Sequence, residues 1–158
     1  MDRDIEKFTA YQMSVVTHLV NNRHNLELSN YGITRAQGRV IYMLERHGDL
    51  MQSELQKKLY VQASTMNGII ESLLKNALIK RRASRKDRRT KVISLTQAGV
   101  DLGHKLWSEL HKLDDDLMAN FTEEEKGLMI SWLKRMQSNL QQKEEMEPGS
   151  TDEKKEGR

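Results

Sequence analysis

The chain lacks residues and segments that several classes of protein require. Its 158 residues include no cysteine, one proline and only 5% aromatic side chains. The absence of cysteine excludes disulfides, Cys-ligated zinc, iron–sulfur clusters and a thiol nucleophile. No apolar run approaches the roughly 18 residues of a membrane span, and the opening MDRDIEKFTA has no apolar segment of a secretory signal. We therefore expect a soluble, cytoplasmic protein with no membrane partner.

Positive charge is concentrated in one short segment. The whole chain carries a formal net charge of +3. Residues 80–91, KRRASRKDRRTK, contain eight basic residues and one acidic residue, so this segment carries +7 and the remaining chain carries −4. A cationic segment in an acidic chain is typical of a protein that binds nucleic acid, although most charge runs are solvated loops. The charge alone leaves both interpretations open.

Helical periodicity and capping signals divide the first half of the chain into four helices. Apolar residues at helical spacing predict a helix over 2–29, which Asn30-Tyr31-Gly32 ends. Thr34-Arg35-Ala36-Gln37 is a capping box that opens a second helix, and Gly48 closes that helix. Two shorter helices follow at about 52–59 and 63–76, joined by Tyr60-Val61-Gln62. Two helices with so short a connection predict a helix-turn-helix.

A basic hairpin follows the helix-turn-helix directly. After Leu78 the apolar period changes from helical spacing to alternation, which predicts strands at 78–82 and 91–95. The intervening residues 83–90 are polar apart from Ala83. A helix-turn-helix followed by a basic β-hairpin is a winged helix. The sequence therefore predicts a winged helix-turn-helix lobe over residues 33–96.

Long helices lie outside this lobe at both ends of the chain. Apolar stripes predict helices over about 97–120 and 122–142, the second opened by a Thr122-Glu123-Glu124-Glu125 capping box. A helix of roughly 25 residues is about 37 Å long, more than the small lobe can cover. We therefore interpret 2–30 and 97–142 as dimerisation helices that pack against a second copy. Residues 143–158 are charged and lose the apolar pattern, which predicts a disordered tail.

The hairpin region resembles that of MarR-type transcription regulators. The run Asp87–Gly99, DRRTKVISLTQAG, is similar to the D-x-R-x-x-x-(apolar)-x-L-T-x-x-G wing signature of that family. Ser64–Leu73 is similar to its recognition helix, Leu78–Arg81 matches its first wing strand, and the helix order agrees over about residues 5–142. The resemblance implies the fold class stated above: a mainly α chain with a small β-hairpin, its winged helix-turn-helix core flanked by dimerisation helices.

The resemblance also implies a function. Members of the family are obligate homodimers that bind pseudo-palindromic double-stranded DNA, usually as repressors, without catalysis or cofactor. Many release DNA when a small aromatic effector binds. Two positions depart from the pattern: Gly68 stands where many members have a long polar residue, and Ala77 stands where a helix-ending Gly is common. We expect fewer base contacts or a closer backbone approach at Gly68, and a left-handed Asn76 or a different helix end near Ala77.

The start of the recognition helix and the hairpin loop supply the predicted DNA contacts. In helix-turn-helix proteins the first turns of the second helix enter the major groove. Asn67 can pair bidentately with adenine and Thr65 can touch a thymine methyl, whereas Ser64 or Thr65 could instead only cap the helix. The residues predicted to contact DNA are Ser64, Thr65, Asn67, Gly68, Arg85, Lys86, Asp87, Arg88 and Arg89.

Within the hairpin loop, each charged residue has a different predicted role. Arg89 is the best candidate to enter a narrow, A·T-rich minor groove, where the negative potential is strongest. Asp87 would repel phosphate, so we expect it to accept a hydrogen bond from Arg89 and fix its direction, to form the turn, or both. Arg85, Lys86 and Arg88 are assigned to phosphates, which add affinity but carry no sequence information.

Aromatic and histidine residues on the predicted long helices and on the second helix suggest an effector pocket. Aromatic walls with a few polar groups suit a small aromatic ligand, although ordinary core and dimer packing explains each residue singly. The histidines show no spacing typical of a zinc site, so no metal ligand is assigned. The candidates for the effector pocket are Tyr11, His18, Tyr42, Trp107 and His111.

Two other classes of function are weighed against a DNA-binding regulator. A winged helix can be a protein-interaction module whose basic wing binds an acidic partner. An enzyme is the third alternative, but no phosphate-loop, dinucleotide-binding, zinc-protease or nucleophile-elbow motif occurs in the sequence. Binding to DNA should fall steeply with salt and select a two-fold-symmetric sequence. The leading hypothesis is a homodimeric repressor that a small-molecule effector releases from its operator.

Overall fold

The computed structural model describes residues 4–146, with side chains through residue 142. Six helices and a small antiparallel sheet confirm the mainly α fold class. Within residues 4–146 no helix is both long and apolar enough to cross a membrane. The elements in chain order are α1 (Thr9–Ser29), α2 (Arg35–His47), β1 (Leu50–Met51), α3 (Gln52–Leu59), α4 (Ala63–Lys75), β2 (Ile79–Ala83), β3 (Lys91–Leu95), α5 (Gln97–Leu117) and α6 (Glu123–Met146).

The first helix is shorter than the sequence predicts. A separate 3₁₀ turn occupies Ile5–Lys7, and Phe8 is extended with φ −86° and ψ 126° before α1 begins. The turn forms because the Asp4 carboxylate accepts a hydrogen bond from the Glu6 amide at 3.2 Å. The predicted end of α1 is confirmed, since Gly32 adopts a φ of +67° that favours glycine. From residue 4 onwards the predicted helix is therefore a turn followed by α1, and residues 2 and 3 of the prediction lie outside the described part of the chain.

Helix α2 begins and ends where the sequence predicts. The Thr34 hydroxyl accepts the Gln37 amide at 3.2 Å, and the Gln37 side chain accepts the Thr34 amide at 2.7 Å. This reciprocal pair satisfies two amides that a helix start leaves without partners. The helix closes at Gly48, whose amide reaches the Leu44 carbonyl at 2.8 Å. The buried face of α2 includes Val40, Ile41 and Leu44, which anchor it in the core.

Helices α3 and α4 form the predicted helix-turn-helix. The turn between them begins at Tyr60, which takes the left-handed conformation with φ 53°. Both helices bury one apolar face against α2 and the sheet, so their polar faces are left exposed. The residues that form this buried face are Leu55, Leu59, Met66, Ile70 and Leu73.

The end of α4 differs from the prediction at Asn76. Asn76 keeps a negative φ of −85°, and Ala77 instead adopts a φ of +54°. The left-handed conformation brings the Ala77 amide to the Leu74 carbonyl at 3.0 Å and the Leu78 amide to the Leu73 carbonyl at 3.1 Å. A Cβ atom is strained in this region by about 1–2 kcal/mol. Helix α4 therefore ends at the expected place, but the left-handed position is occupied by Ala77 rather than by glycine.

We expect Ala77→Gly to stabilise the protein. Glycine removes the Cβ strain at φ +54° and keeps both backbone hydrogen bonds. Part of the gain is lost because glycine is freer in the unfolded chain, so the net increase in unfolding free energy is about 1 kcal/mol. Chemical denaturation measures this change. Ala98→Gly, at an exposed helical position of α5, is the matched control and should lower stability; a decrease at position 77 as well would contradict the prediction.

The sheet has one strand more than the predicted hairpin. Strands β2 and β3 pair antiparallel with Ile79 opposite Leu95, which confirms the hairpin. Leu50 and Met51 form the additional β1 on the other side of β3, giving the order β1-β3-β2. The sequence did not predict β1 because two residues are too few to show alternation. The pairing places the base of the hairpin against the start of α3.

The start of α5 is fastened to the end of α4. The Thr96 hydroxyl accepts the Gly99 amide at 3.1 Å and donates to the Ala77 carbonyl at 2.7 Å, which confirms Thr96 as the helix cap. Gly99 packs so closely that a Cβ placed on it would lie 2.1 Å from the Leu78 carbonyl oxygen. Further along α5, Leu106 is fully buried in the core. Helix α5 is thus fixed at its start to the hairpin and along its length to α2.

Among the described residues, 118–146 belong to a second compact unit. Its predicted capping box is confirmed, because the Thr122 amide donates to the Glu125 carboxylate at 2.8 Å and the Glu125 amide donates to the Thr122 hydroxyl at 3.2 Å. Helix α6 runs to Met146, so the prediction that a disordered tail begins at residue 143 is wrong by four residues. The remainder of the predicted tail, residues 147–158, lies outside the described part of the chain.

Candidate nucleic-acid interface

The first turns of α4 present a polar surface to solvent. Ser64, Thr65, Asn67 and Gly68 are all exposed, while Met66 between them is fully buried. Helical periodicity explains the contrast, because the apolar side of α4 packs on α3 and the opposite side cannot reach the core. A Cβ placed on Gly68 would meet no atom within 4 Å, so the helix backbone is open to an approaching molecule there. The predicted recognition residues therefore share one accessible face.

Asp87 shapes the loop of the hairpin through backbone contacts. Its carboxylate accepts the Arg89 amide at 2.9 Å and the Thr90 hydroxyl at 3.2 Å. The expected hydrogen bond from Arg89 thus comes from its main chain rather than its guanidinium. A carboxylate that binds an amide two residues ahead forms an Asx turn. Asp87 fixes the loop and leaves the Arg89 side chain to reach outward.

Two further hydrogen bonds close the loop. The Ser84 amide donates to the Thr90 carbonyl at 2.8 Å, and the Ser84 hydroxyl accepts the Lys86 amide at 3.2 Å. Arg85, Lys86, Arg88 and Arg89 are exposed around this closed loop. The hairpin therefore carries its positive charges on a defined turn.

A groove joins α4 to the hairpin. Asn67 and Arg89, the principal candidates of the two elements, line the same open groove of about 480 Å³. Gln52 and Ser53 from the start of α3 also line it, together with three cationic side chains, namely Arg81, Arg89 and Lys91. Cationic and polar side chains beside one another are the composition expected of a surface that binds a phosphodiester backbone.

Two arginines of β2 are paired with carboxylates on opposite sides of the strand. Arg81 donates to Glu71 of α4 at 2.7 Å, and Arg82 donates to Asp49 at 3.1 Å. Neighbouring strand residues point to opposite faces, which is why their partners differ. Only Arg81 of the two lines the groove. Its pairing with Glu71 links the hairpin to the recognition helix.

The proposed effector residues are only partly brought together. The rings of Tyr42 and Trp107 lie 5.0 Å apart, and those of Trp107 and His111 lie 6.2 Å apart. Burial, with the nearby charges of Glu45 and Glu109, raises the pKa of Tyr42 to about 12, so its neutral phenol donates to the Leu106 carbonyl at 3.2 Å. Tyr42, Trp107 and His111 therefore form an aromatic contact between α2 and α5.

The other two effector candidates lie on α1. Tyr11 is partly buried, and the exposed His18 shares a hydrogen bond of 3.0 Å with Asn22. Neither takes part in the ring contacts found among residues 4–142. No group of three or more His, Asp or Glu side chains in the same range is arranged to hold a metal ion.

Sequence reasoning missed three contributors to the groove. Gln52 donates a hydrogen bond to Asn67, Glu71 holds Arg81, and Lys91 lies at the groove edge. Lys91 belonged to the cationic segment over residues 80–91, and Gln52 stood at the start of a predicted helix, but neither position by itself indicated the groove. The pairings of Gln52 with Asn67 and of Glu71 with Arg81 join separate elements, so no local pattern could reveal them.

Comparisons with known proteins agree with this geometry. A MarR family model matches residues 33–91, which include the helix-turn-helix and the hairpin loop. The HTH-type transcriptional regulator BilQ of Clostridium symbiosum is 30% identical over 97 residues, covering 61% of this chain and 67% of BilQ. The structure of a Staphylococcus aureus MepR–DNA complex aligns with a TM-score of 0.76 and 26% identity, over 87% of this chain and 99% of MepR.

A third structure shares the fold at lower identity. Bordetella bronchiseptica BpsR, described with a mechanism for regulation of its DNA binding by 6-hydroxynicotinic acid, aligns with a TM-score of 0.79 and 17% identity, over 87% of this chain and 98% of BpsR. The fold and the groove define a winged helix-turn-helix transcription regulator. Within that class, the chain belongs to the MarR family.

Proposed function

We propose that this regulator is a homodimer that binds a pseudo-palindromic operator and represses transcription. Each copy places the start of α4 in a major groove and Arg89 of the hairpin in the adjacent minor groove. The observation that carries the proposal is the groove that Asn67 and Arg89 both line. Asn67 of α4 has an amide that can read base edges, and Arg89 of the hairpin has a positive charge that suits a narrow minor groove. We propose that the protein acts in the cytoplasm by binding alone, without catalysis.

Self-association supplies the symmetry that such an operator requires. Helix α1 exposes Leu19 at 61% and Leu26 at 67%, and α6 exposes Leu128 at 51% and Leu140 at 67%. Exposed apolar side chains that recur along a helix indicate an interaction surface. Burying them against the same faces of a second copy gives a two-fold dimer that presents two recognition helices.

A small aromatic effector would act by changing the separation of these helices. We propose that it binds beside the ring contact of Tyr42 and Trp107, which joins α2 of the DNA-binding lobe to α5. An effector shifts the conformation only by its different affinity for the two states. The regulation of BpsR by 6-hydroxynicotinic acid supports a ligand of this chemical class.

Selection from random DNA duplexes tests the proposed function. We expect enrichment of an inverted repeat whose half-sites lie about 10 bp apart, because two symmetric recognition helices must meet successive major grooves. Affinity for the selected duplex should fall with salt at a log–log slope of roughly −0.9 per phosphate contacted. A selection without any two-fold-symmetric motif contradicts the proposal, and it would favour an acidic protein partner for the cationic hairpin.

Arg89→Ala should weaken operator binding without changing the fold. The guanidinium lines the groove, whereas the loop itself is held by Asp87 and the Arg89 main chain, which the substitution preserves. We expect a loss of about 1–3 kcal/mol in binding free energy, as for a good DNA contact. Fluorescence anisotropy with the selected operator measures the loss.

Arg88→Ala is the matched control for this substitution. It removes the same charge one residue away, but Arg88 does not line the groove with Asn67. The control should lower the affinity for operator and for unrelated DNA alike, as expected of a phosphate contact. If Arg88→Ala costs more operator affinity than Arg89→Ala, the assignment of Arg89 to the minor groove is wrong.

A further inference from the structure

Gln52 and Asn67 form a hydrogen-bonded pair across the helix-turn-helix. Gln52 is the first residue of α3, and Asn67 lies in the second turn of α4. The Gln52 Nε2 donates a short hydrogen bond to the Asn67 Oδ1. Both side chains line the groove that Arg89 borders. The pair therefore lies inside the surface assigned to DNA.

This hydrogen bond fixes which atoms Asn67 offers to a base. An asparagine amide carries an accepting oxygen and a donating NH2 group on opposite sides of one carbon. With Oδ1 accepting from Gln52, the NH2 group of Nδ2 lies on the other side of the amide. The accessible side of the amide is therefore a donor.

The major-groove edges of the four bases respond differently to such a donor. Guanine offers two adjacent acceptors, N7 and O6, and thymine offers O4. Adenine offers N7 beside its N6 amino donor, and the bidentate pair expected from sequence requires Oδ1 to accept from that amino group. The hydrogen bond from Gln52 competes for the same oxygen. Guanine and thymine are thus better matched than adenine.

We propose that Gln52 is a specificity-determining residue of the regulator, an inference that rests on the proposed function. It orients Asn67 so that each half-site carries guanine or thymine, rather than adenine, opposite this side chain. Gln52 acts through Asn67 and is a positioning residue. The recognition unit thus comprises one residue from each helix of the helix-turn-helix.

Duplex selection with three variants tests this assignment. Asn67→Ala should lose base preference at one position of each half-site, which identifies the base that Asn67 faces. Synthetic operators with guanine, thymine or adenine at that position are then compared for wild type and for Gln52→Ala. We expect wild type to prefer guanine or thymine over adenine by about tenfold, the range of a good base contact. Gln52→Ala frees Oδ1 and should remove or reverse this preference.

Gln97→Ala is the matched control. Gln97 is also the first residue of a helix, and its side chain likewise donates a hydrogen bond, to Asp101 at 3.0 Å, outside the groove. It should retain the wild-type base preference. Circular dichroism checks that all variants fold, which we expect because alanine is the residue most compatible with a helix.

Three results would overturn the assignment. They are a wild-type preference for adenine, an unchanged preference in Gln52→Ala, and the absence of any position that Asn67→Ala affects. A wild-type selection that yields no two-fold motif overturns the proposed function itself, and the inference with it. An inverted repeat whose base preference ignores Gln52 overturns the inference alone.

Discussion

Trp132→Glu should convert the regulator into a monomer and abolish tight operator binding. Trp132 is 45% exposed on α6, on the side of the helix that also carries Leu128, Leu133 and Leu140. A carboxylate placed among these side chains would be desolvated without a partner when two copies associate. A monomer reaches only one half-site, so the avidity of the linked second site, typically about 10²–10⁴ in affinity, is lost. Sedimentation and operator titration measure the two effects.

Ser138→Glu provides the control on the same helix. Ser138 is exposed on the side of α6 opposite the apolar residues, so the same charge there should leave assembly and binding unchanged. The substitution at Trp132 adds no core cavity, because Trp132 is half exposed, and helix content should persist. Retention of a dimer with full operator affinity in Trp132→Glu would remove α6 from the interface.

Local sequence patterns predict those elements whose contacts lie close together in the chain. The capping box of Thr34 and Gln37 and the stop at Gly48 depend on residues within a few positions of one another, and both were predicted correctly. Strand β1 exists only because Leu50 meets Ile93, more than 40 positions away. Two residues are too few for an alternation of apolar and polar side chains that would indicate a strand. Pairing between distant segments therefore set the limit of the fold prediction.

The candidate site shows the same limit at the level of side chains. Exposure of Asn67 follows from the apolar periodicity of α4, and the sequence sufficed for it. The direction of its amide depends on Gln52, and the position of Arg81 depends on Glu71, both from other elements. Asp87 was correctly expected to hold Arg89, but the choice of main chain over guanidinium depends on the backbone of the turn. Residue types predicted the surface, and tertiary contacts decided its chemistry.

Gly99→Ala should destabilise the DNA-binding lobe more than any other single-methyl change described above. The added Cβ would lie 2.1 Å from the Leu78 carbonyl oxygen and 3.0 Å from a methyl of Leu95. The carbonyl cannot yield easily, because it accepts the Thr96 amide at 3.1 Å at the junction of the hairpin and α5. Helix α5 must therefore move away from the hairpin. We expect a loss of about 3 kcal/mol in unfolding free energy, the upper end of typical overpacking costs.

Gly68→Ala is the matched control, since it adds the same methyl to another helical glycine. A Cβ at Gly68 meets no atom within 4 Å, so helix propensity alone should raise stability by about 1 kcal/mol. Urea denaturation of both variants measures the difference. Because Gly99 is the point at which the start of α5 packs against Leu78 and Leu95 of the hairpin, its substitution should also displace Arg89 relative to α4 and weaken operator binding. Equal stability of the two variants would show that the contact with Leu78 does not hold the hairpin in place.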